Sequence, residues 1–288
     1  MLISPQDLQR DAEAALPRLR QQHAALLSNR AQANRLLLGL VLAGGLALFA
    51  MVWLDFSLVR VVTGLGRLAG FAGMMFPPST GGHLATYLQS MAETLAIAYL
   101  GTLTAAILAF PIGFLAARNV IPNPFVHFGV RRFLDTIRGV DVLIWALIWV
   151  NVVGLGPFAG ILAIACSDFG SFGKLFSEAI ETADRKPVEG VLSAGGSALH
   201  GHRFGILPQV LPVIGSQVLY FFESNTRSAT IIGIVGAGGI GVHLAEQIRV
   251  LEMQQVLFLI LMILIAVALI DLVSSRLRHA MIGARANS

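Results

Sequence analysis

Six stretches of this chain are each apolar for about 20 residues, and that feature excludes most of the ways a protein can fold in water. A helix needs roughly 20 residues to cross the hydrocarbon core of a bilayer. Within lipid, every backbone amide must also be satisfied inside its own segment, which leaves helices and closed barrels as spanning structures. The runs lie at residues 36 to 54, 87 to 115, 133 to 153, 157 to 177, 208 to 235 and 255 to 273. They predict an all-α, polytopic membrane protein with about six transmembrane helices. Composition agrees, since 12% of the 288 residues are charged, against about 25% in a typical soluble domain.

Local signals refine the spans. Gly154-Leu155-Gly156-Pro157 reads as a tight turn that makes spans three and four a helical hairpin. Pro111 removes a backbone donor inside span two and predicts a kink near its end. Cys166 is the only cysteine and sits in an apolar run, so it forms no intrachain disulfide and reads as packing. About 35 mostly polar residues precede the first span, which predicts a retained tail rather than a cleavable leader. Ser4, Pro5, Gln6 and Asp7 open an amphipathic pattern of Leu8, Ala12, Ala15, Leu16 and Leu19. Such a helix suits a membrane surface or a partner's flank.

Basic residues orient the chain. With the N-terminus inside, and Arg227 taken with the adjoining outer segment, the inner segments hold 16 Lys and Arg and the outer segments hold Arg60, Arg67, Arg227 and Arg249. The positive-inside rule then places both termini in the cytoplasm. It also accounts for the basic balance without nucleic acid.

The segment from 184 to 212 therefore lies inside, and it is unlike the spans around it. Pro187 can open a short helix with Glu189 near its positive end, and Gly195-Gly196 can stop it. Ser197 then caps a second stub running to Gly205. Val191, Leu192, Ala194, Leu199 and Phe204 give the stubs apolar faces with nothing in this chain to cover them, which suits docking into another protein's groove.

The spacing from Glu189 to Gly195 and on to Leu207-Pro208 resembles the cytoplasmic EAA loop of ABC-importer permeases. Gly190 and Val191 replace the two alanines of that pattern, and Gly205 stands where it often has isoleucine. The blocks "FPIGFLAARN" (110 to 119), "GLGPFAGILAIA" (154 to 165), "GKLFSEAIE" (173 to 181) and "ESNTRSATIIGIVGAGGIG" (223 to 241) look like the phosphonate-transport permeases and their phosphite relatives. The likeness covers roughly residues 84 to 280. The segment from Asp55 to Gly82 matches nothing in it, and Arg138-Gly139-Val140-Asp141 lacks a proline that many such permeases carry.

The resemblance implies a type I ABC-importer permease fold in the bacterial inner membrane. Its organisation would be a tail (1 to 35), a first span with an outer segment (36 to 83), the permease domain (84 to 280) and a short C-terminal tail (281 to 288). It implies a homodimer with two ATP-binding subunits and a periplasmic phosphonate-binding protein, importing phosphonates by alternating access. ATP and Mg would be bound by the partner ATPase, with no cofactor and no catalytic residue in this chain. The coupling residues would be Pro187, Glu189, Leu192, Gly195, Gly196, Leu199, Phe204, Leu207 and Pro208. Phosphite, phosphate or another small oxyanion is the alternative substrate. An ion-coupled transporter or channel, or an intramembrane enzyme, is the alternative class.

Several motifs carry competing readings. Gly236 to Gly241 matches GxGxxG literally but ends a span instead of following a strand, so close helix packing or a broken-helix gate explains it better than a dinucleotide site. No GxxxxGK[ST] occurs, so the chain is expected not to hydrolyse ATP. Glu223, Asn225 and Arg227 lie within span five, where ionised groups are costly unless paired or wet. Glu223 and Arg227 can neutralise each other at i,i+4. Alternatively Arg227 faces a hydrated path for an anion, with Glu223 and Asn225 holding it. Asp168 is expected to be a hydrogen-bonded structural acid, and Glu93 is open between the two roles. His200 and His202 alone make too few ligands for a metal site.

Overall fold

The computed structural model describes residues 30 to 283. The amphipathic pattern from Ser4 to Leu19 and the last five residues lie outside the described residues. Secondary structure among the described residues is entirely helical. The chain divides into two units, residues 1 to 70 and 71 to 288.

In the first unit, α1 (Arg30–Trp53) has apolar residues on every side, and Leu36, Leu40, Leu46 and Val52 are all exposed. A helix apolar all round belongs in lipid or in a large core. At its end Asp55 takes a positive φ of 53°, and Arg60 reaches back to its carboxylate at 3.8 Å. There α2 (Leu58–Met74) begins, with Val61, Val62, Leu65 and Leu68 on one side and Arg60, Thr63 and Arg67 on another. That helix was not foreseen, although its three- and four-residue spacing was there to read.

In the second unit, α3 (Leu84–Ala116) and α6 (Pro157–Glu181) run parallel and form the centre. α3 buries Ala98, Gly101, Thr102, Ala105, Ala109 and Gly113, a face of small residues at three- and four-residue steps. Lipid offers no hydrophobic drive between helices, so close van der Waals approach holds them. A Cβ on Gly101 would lie 2.8 Å from Ile164, and one on Gly113 2.7 Å from Phe176. α3 continues unbroken through Pro111. α9 (Leu207–Ile234) returns antiparallel to this pair, and α11 (Met253–Gly283) runs in the same direction as the pair, its start beside Tyr87. Three apolar clusters follow the bundle's length. One is built on Phe172, Phe176 and Val210, the second on Ile97, Ile164 and Ile232, and the third on Tyr87, Met91 and Leu259.

The third span differs from expectation. Residues 133 to 153 are not one helix but parts of α4 (Pro124–Arg138) and α5 (Val142–Val153), bent by 82° at the break between them. Asp141 causes the restart, accepting a hydrogen bond from Leu143 N at 2.8 Å as the N-cap of α5. α5 alone has 12 residues, about 18 Å at 1.5 Å per residue, too short to cross. α4 is amphipathic and carries Arg131, Arg132, Asp135 and Arg138, a pattern that suits a membrane interface. It is tied to α6 by Arg131 to Glu181 and Lys174 to Asp135, both at 2.9 Å. Five helices are long and apolar enough to cross a membrane, or six if the bent pair counts as one.

The hairpin turn is as expected. Gly154 and Gly156 have φ of 92° and 135°, and Pro157 opens α6.

Candidate functional site: a polar helix face, a glycine turn and a two-helix elbow

Midway along the bundle, Asn225 of α9 donates to Thr102 Oγ1 at 2.8 Å and to Asp168 Oδ2. All three side chains are buried, and they join α9, α3 and α6. A buried carboxylate needs such partners, so Asp168 has the hydrogen-bonded structural setting expected of it. Asn225 has its amide turned into this network.

Two residues earlier on α9, Glu223 is also buried, and two arginines approach it. Arg278 of α11 donates through Nη1 to Oε2 at 2.9 Å, whereas Arg227 stands 3.7 Å from Oε1. The Arg227 side chain is 51% exposed and that of Arg278 22%. Of the three residues singled out in span five, Arg227 alone lies on the open face of α9, beside Tyr220 and Ile231. Arg278 was not foreseen, because an i,i+4 pair within one helix is visible in sequence and a partner 55 residues away is not.

At the Pro157 end of the bundle, the segment matching GxGxxG forms the turn from α9 to α10 (Ile240–Arg249). A Cβ on Gly241 would overlap the Thr230 carbonyl oxygen, and one on Gly233 would lie 2.6 Å from Gly238 O. The start of α10 is already occupied. Gly239 N donates to Glu93 Oε1 and Ile240 N to Thr94 Oγ1, both at 2.8 Å. A phosphate would need those amides, so the segment is a packing turn, and Glu93 is its cap.

At the Glu181 end, α7 (Lys186–Ser193) ends on Ala194, and Gly195 turns with φ of 86°. The second stub is α8 (Ala198–His200) followed by a π-helical turn (Gly201–Ile206) that runs directly into α9 at Leu207 and Pro208. Ser197 caps it in a capping box with His200, whose Nδ1 lies 2.9 Å from Ser197 Oγ. Val188 of α7 packs onto the bare backbones of Gly201 and Gly205. Asp184 N donates to Gln209 Oε1 at 3.0 Å, and Gln209 Nε2 returns a bond to Asp184 O at 3.0 Å. The elbow is thus stapled to the end of α9. Pro187, Glu189, Leu192, Leu199 and Phe204 are exposed on it, Leu199 by 74%.

Beside the elbow, Glu181 accepts from Arg118 N at 2.8 Å and Arg131 Nη2 at 2.9 Å. Buried His127 lies between the Ala116 carbonyl and Arg118 Nε. The carbonyl requires Nδ1 to donate, which leaves Nε2 to accept from the guanidinium. The hydrogen bond from Lys174, with Arg132 and Arg138 near, holds the Asp135 carboxyl below its usual range.

The described residues thus form a helical bundle with five helices long and apolar enough to cross a membrane, or six if the bent pair is one span, and an exposed elbow at one end. The family described as "Binding-protein-dependent transport system inner membrane component" matches residues 109 to 282. The chain belongs to that family, as a multi-pass inner-membrane permease. It is 39% identical over 236 residues to the putative phosphite transport system permease protein HtxC of Stutzerimonas stutzeri, covering 81% of this chain and 83% of that one. It is 48% identical over 118 residues to the putative cryptic phosphonate transport system permease protein PhnE2 of Escherichia coli strain K12, covering 41% of this chain and 97% of that one. An inward-facing crystal form of the methionine ABC transporter MetNI shares the fold, with a TM-score of 0.62 at 18% identity over 70% of this chain and 99% of that chain. The expected type I importer permease fold is therefore present, and the enzyme and channel readings fall outside the family.

Proposed function

We propose that this chain is the permease of a phosphonate importer, working as a homodimer with two copies of a separate ATPase and one periplasmic binding protein. The observation that carries the coupling role is the elbow, whose exposed Leu192, Leu199 and Phe204 sit on a segment bound rigidly to the foot of α9. ATP and Mg bind in the ATPase, and closure of the ATPase dimer pushes the elbow. α9 then transmits the movement and the bundle rocks between outward- and inward-open states. Both termini lie in the cytoplasm, by the distribution of basic residues.

Arg227 faces the path. An ionised guanidinium on an open helix face is costly against lipid, whereas a hydrated path gives it water and then the passing oxyanion. Phosphite is the second reading, favoured by the relative HtxC, whose name carries that substrate. Purifying the chain with the co-expressed ATPase and binding protein tests the function. Methylphosphonate is expected to stimulate ATP hydrolysis, with phosphite as the comparison. No stimulation by either would contradict the proposal.

A further inference from the structure

We infer that Arg278 is a positioning residue for anion passage: by taking Glu223, it leaves Arg227 as an uncompensated positive charge on the open face of α9. The inference rests on the reading of Arg227 as part of the path. Glu223 is one carboxylate between two guanidiniums, so the trio carries a net charge of +1. The geometry decides which arginine holds the surplus. Arg278 makes the 2.9 Å contact and is mostly buried, while Arg227 is at 3.7 Å and half exposed. A charge-assisted hydrogen bond at the shorter distance is the stronger, and it is stronger again away from water. Among the described residues Arg227 pairs with no other carboxylate.

The consequence is specific to an anion. Without Arg278, Glu223 has Arg227 as its only remaining partner, one helical turn along the same helix, and the pair becomes neutral. An oxyanion arriving at α9 would then compete with an internal carboxylate for the same guanidinium. Arg278 removes that competition from the far side of Glu223, by a contact between α11 and α9 that also fixes the two helices together.

Uptake of radiolabelled methylphosphonate and phosphite by proteoliposomes holding the whole transporter tests this, with each variant quantified in the membrane. R227Q is expected to lower uptake on the order of tenfold or more, as loss of a charged contact does. R278Q is expected to lower it comparably, chiefly by raising KM. The double variant E223Q/R278Q frees Arg227 again and is expected to regain most of the loss. Normal uptake by R227Q would overturn the path reading, and the inference with it. If R227Q is impaired while R278Q is normal, or while the double variant transports no better than R278Q, the path reading stands and the role of Arg278 is overturned. Should R278Q fail to reach the membrane, E223Q against E223Q/R278Q decides, because Arg278 acts only through Glu223. Equal uptake by the two supports the inference, and a further loss on adding R278Q overturns it.

Discussion

Val188 packs against the bare backbone of Gly205, so close that a Cβ built at 205 would lie 2.8 Å from Val188 Cγ2 and 2.9 Å from its Cα. The two stubs of the elbow meet at this point, and the glycine that departs from the usual importer pattern is what lets them.

Gly205→Ala is therefore expected to cost about 1–3 kcal/mol locally, as overpacking does, and to uncouple ATP hydrolysis from uptake. Gly190 is the contrast. A Cβ there meets nothing within 4 Å, so Gly190→Ala is expected to stabilise α7 by about 1 kcal/mol or less and to leave coupling intact. Uptake per ATP hydrolysed, compared between the two variants, checks the pair.

At the other end of the bundle, Gly241→Ala places a methyl group against the Thr230 carbonyl oxygen, where backbone meets backbone and neither can turn aside. A loss of about 1–3 kcal/mol is expected, seen as a lowered Tm of the detergent-solubilised protein. An unchanged Tm would contradict the packing account of that turn.

Asn225→Ala would take from buried Asp168 its Asn225 donor, while Thr102 Oγ1 keeps its bond to Ala98 O. Leaving a buried acceptor unsatisfied costs about 1–3 kcal/mol. Asp168→Asn keeps a hydrogen-bonding amide at that position and is expected to lower Tm less. Equal losses would argue against the network.

Asp135 carries a pH signature. Lys174 holds its folded-state carboxyl below the unfolded value, which is about 4. The stability it contributes is fully present above that pH and is lost as pH falls through the folded value. Asp135→Asn should thus be less stable than the parent at neutral pH, and the Tm difference should narrow under acid.

What could be read from the sequence, and what could not, follows from the range of each interaction. Apolar runs and the elbow register are local, so five spans and the Gly195 turn fell close to their true places. Span three did not. Averaging over 133 to 153 let the apolar residues after Asp141 mask the charged ones before it, although Asp141 is a good N-cap and was a readable sign of a fresh start. The π-helical turn after His200 has no comparable signature. Asn225 and Thr102 lie 123 residues apart, and Arg278 and Glu223 lie 55 apart. Such pairings exist only once the bundle has formed. Arg227 is readable as a charge inside a span with an i,i+4 partner on the same helix, while the stronger claim on Glu223 comes from Arg278 on another helix.

The central claim is that the elbow is the point where an external ATPase moves this bundle. Its most direct test is crosslinking from Leu199, the most exposed of the elbow's large apolar residues, in inside-out vesicles. Cys166 is first replaced by serine, so that a cysteine introduced in Leu199→Cys is the only thiol. The account predicts that this position labels from the cytoplasmic side and crosslinks to the ATPase, with a yield that changes when ATP is trapped. Labelling only from the periplasmic side, or no ATPase adduct from an otherwise active transporter, would contradict it.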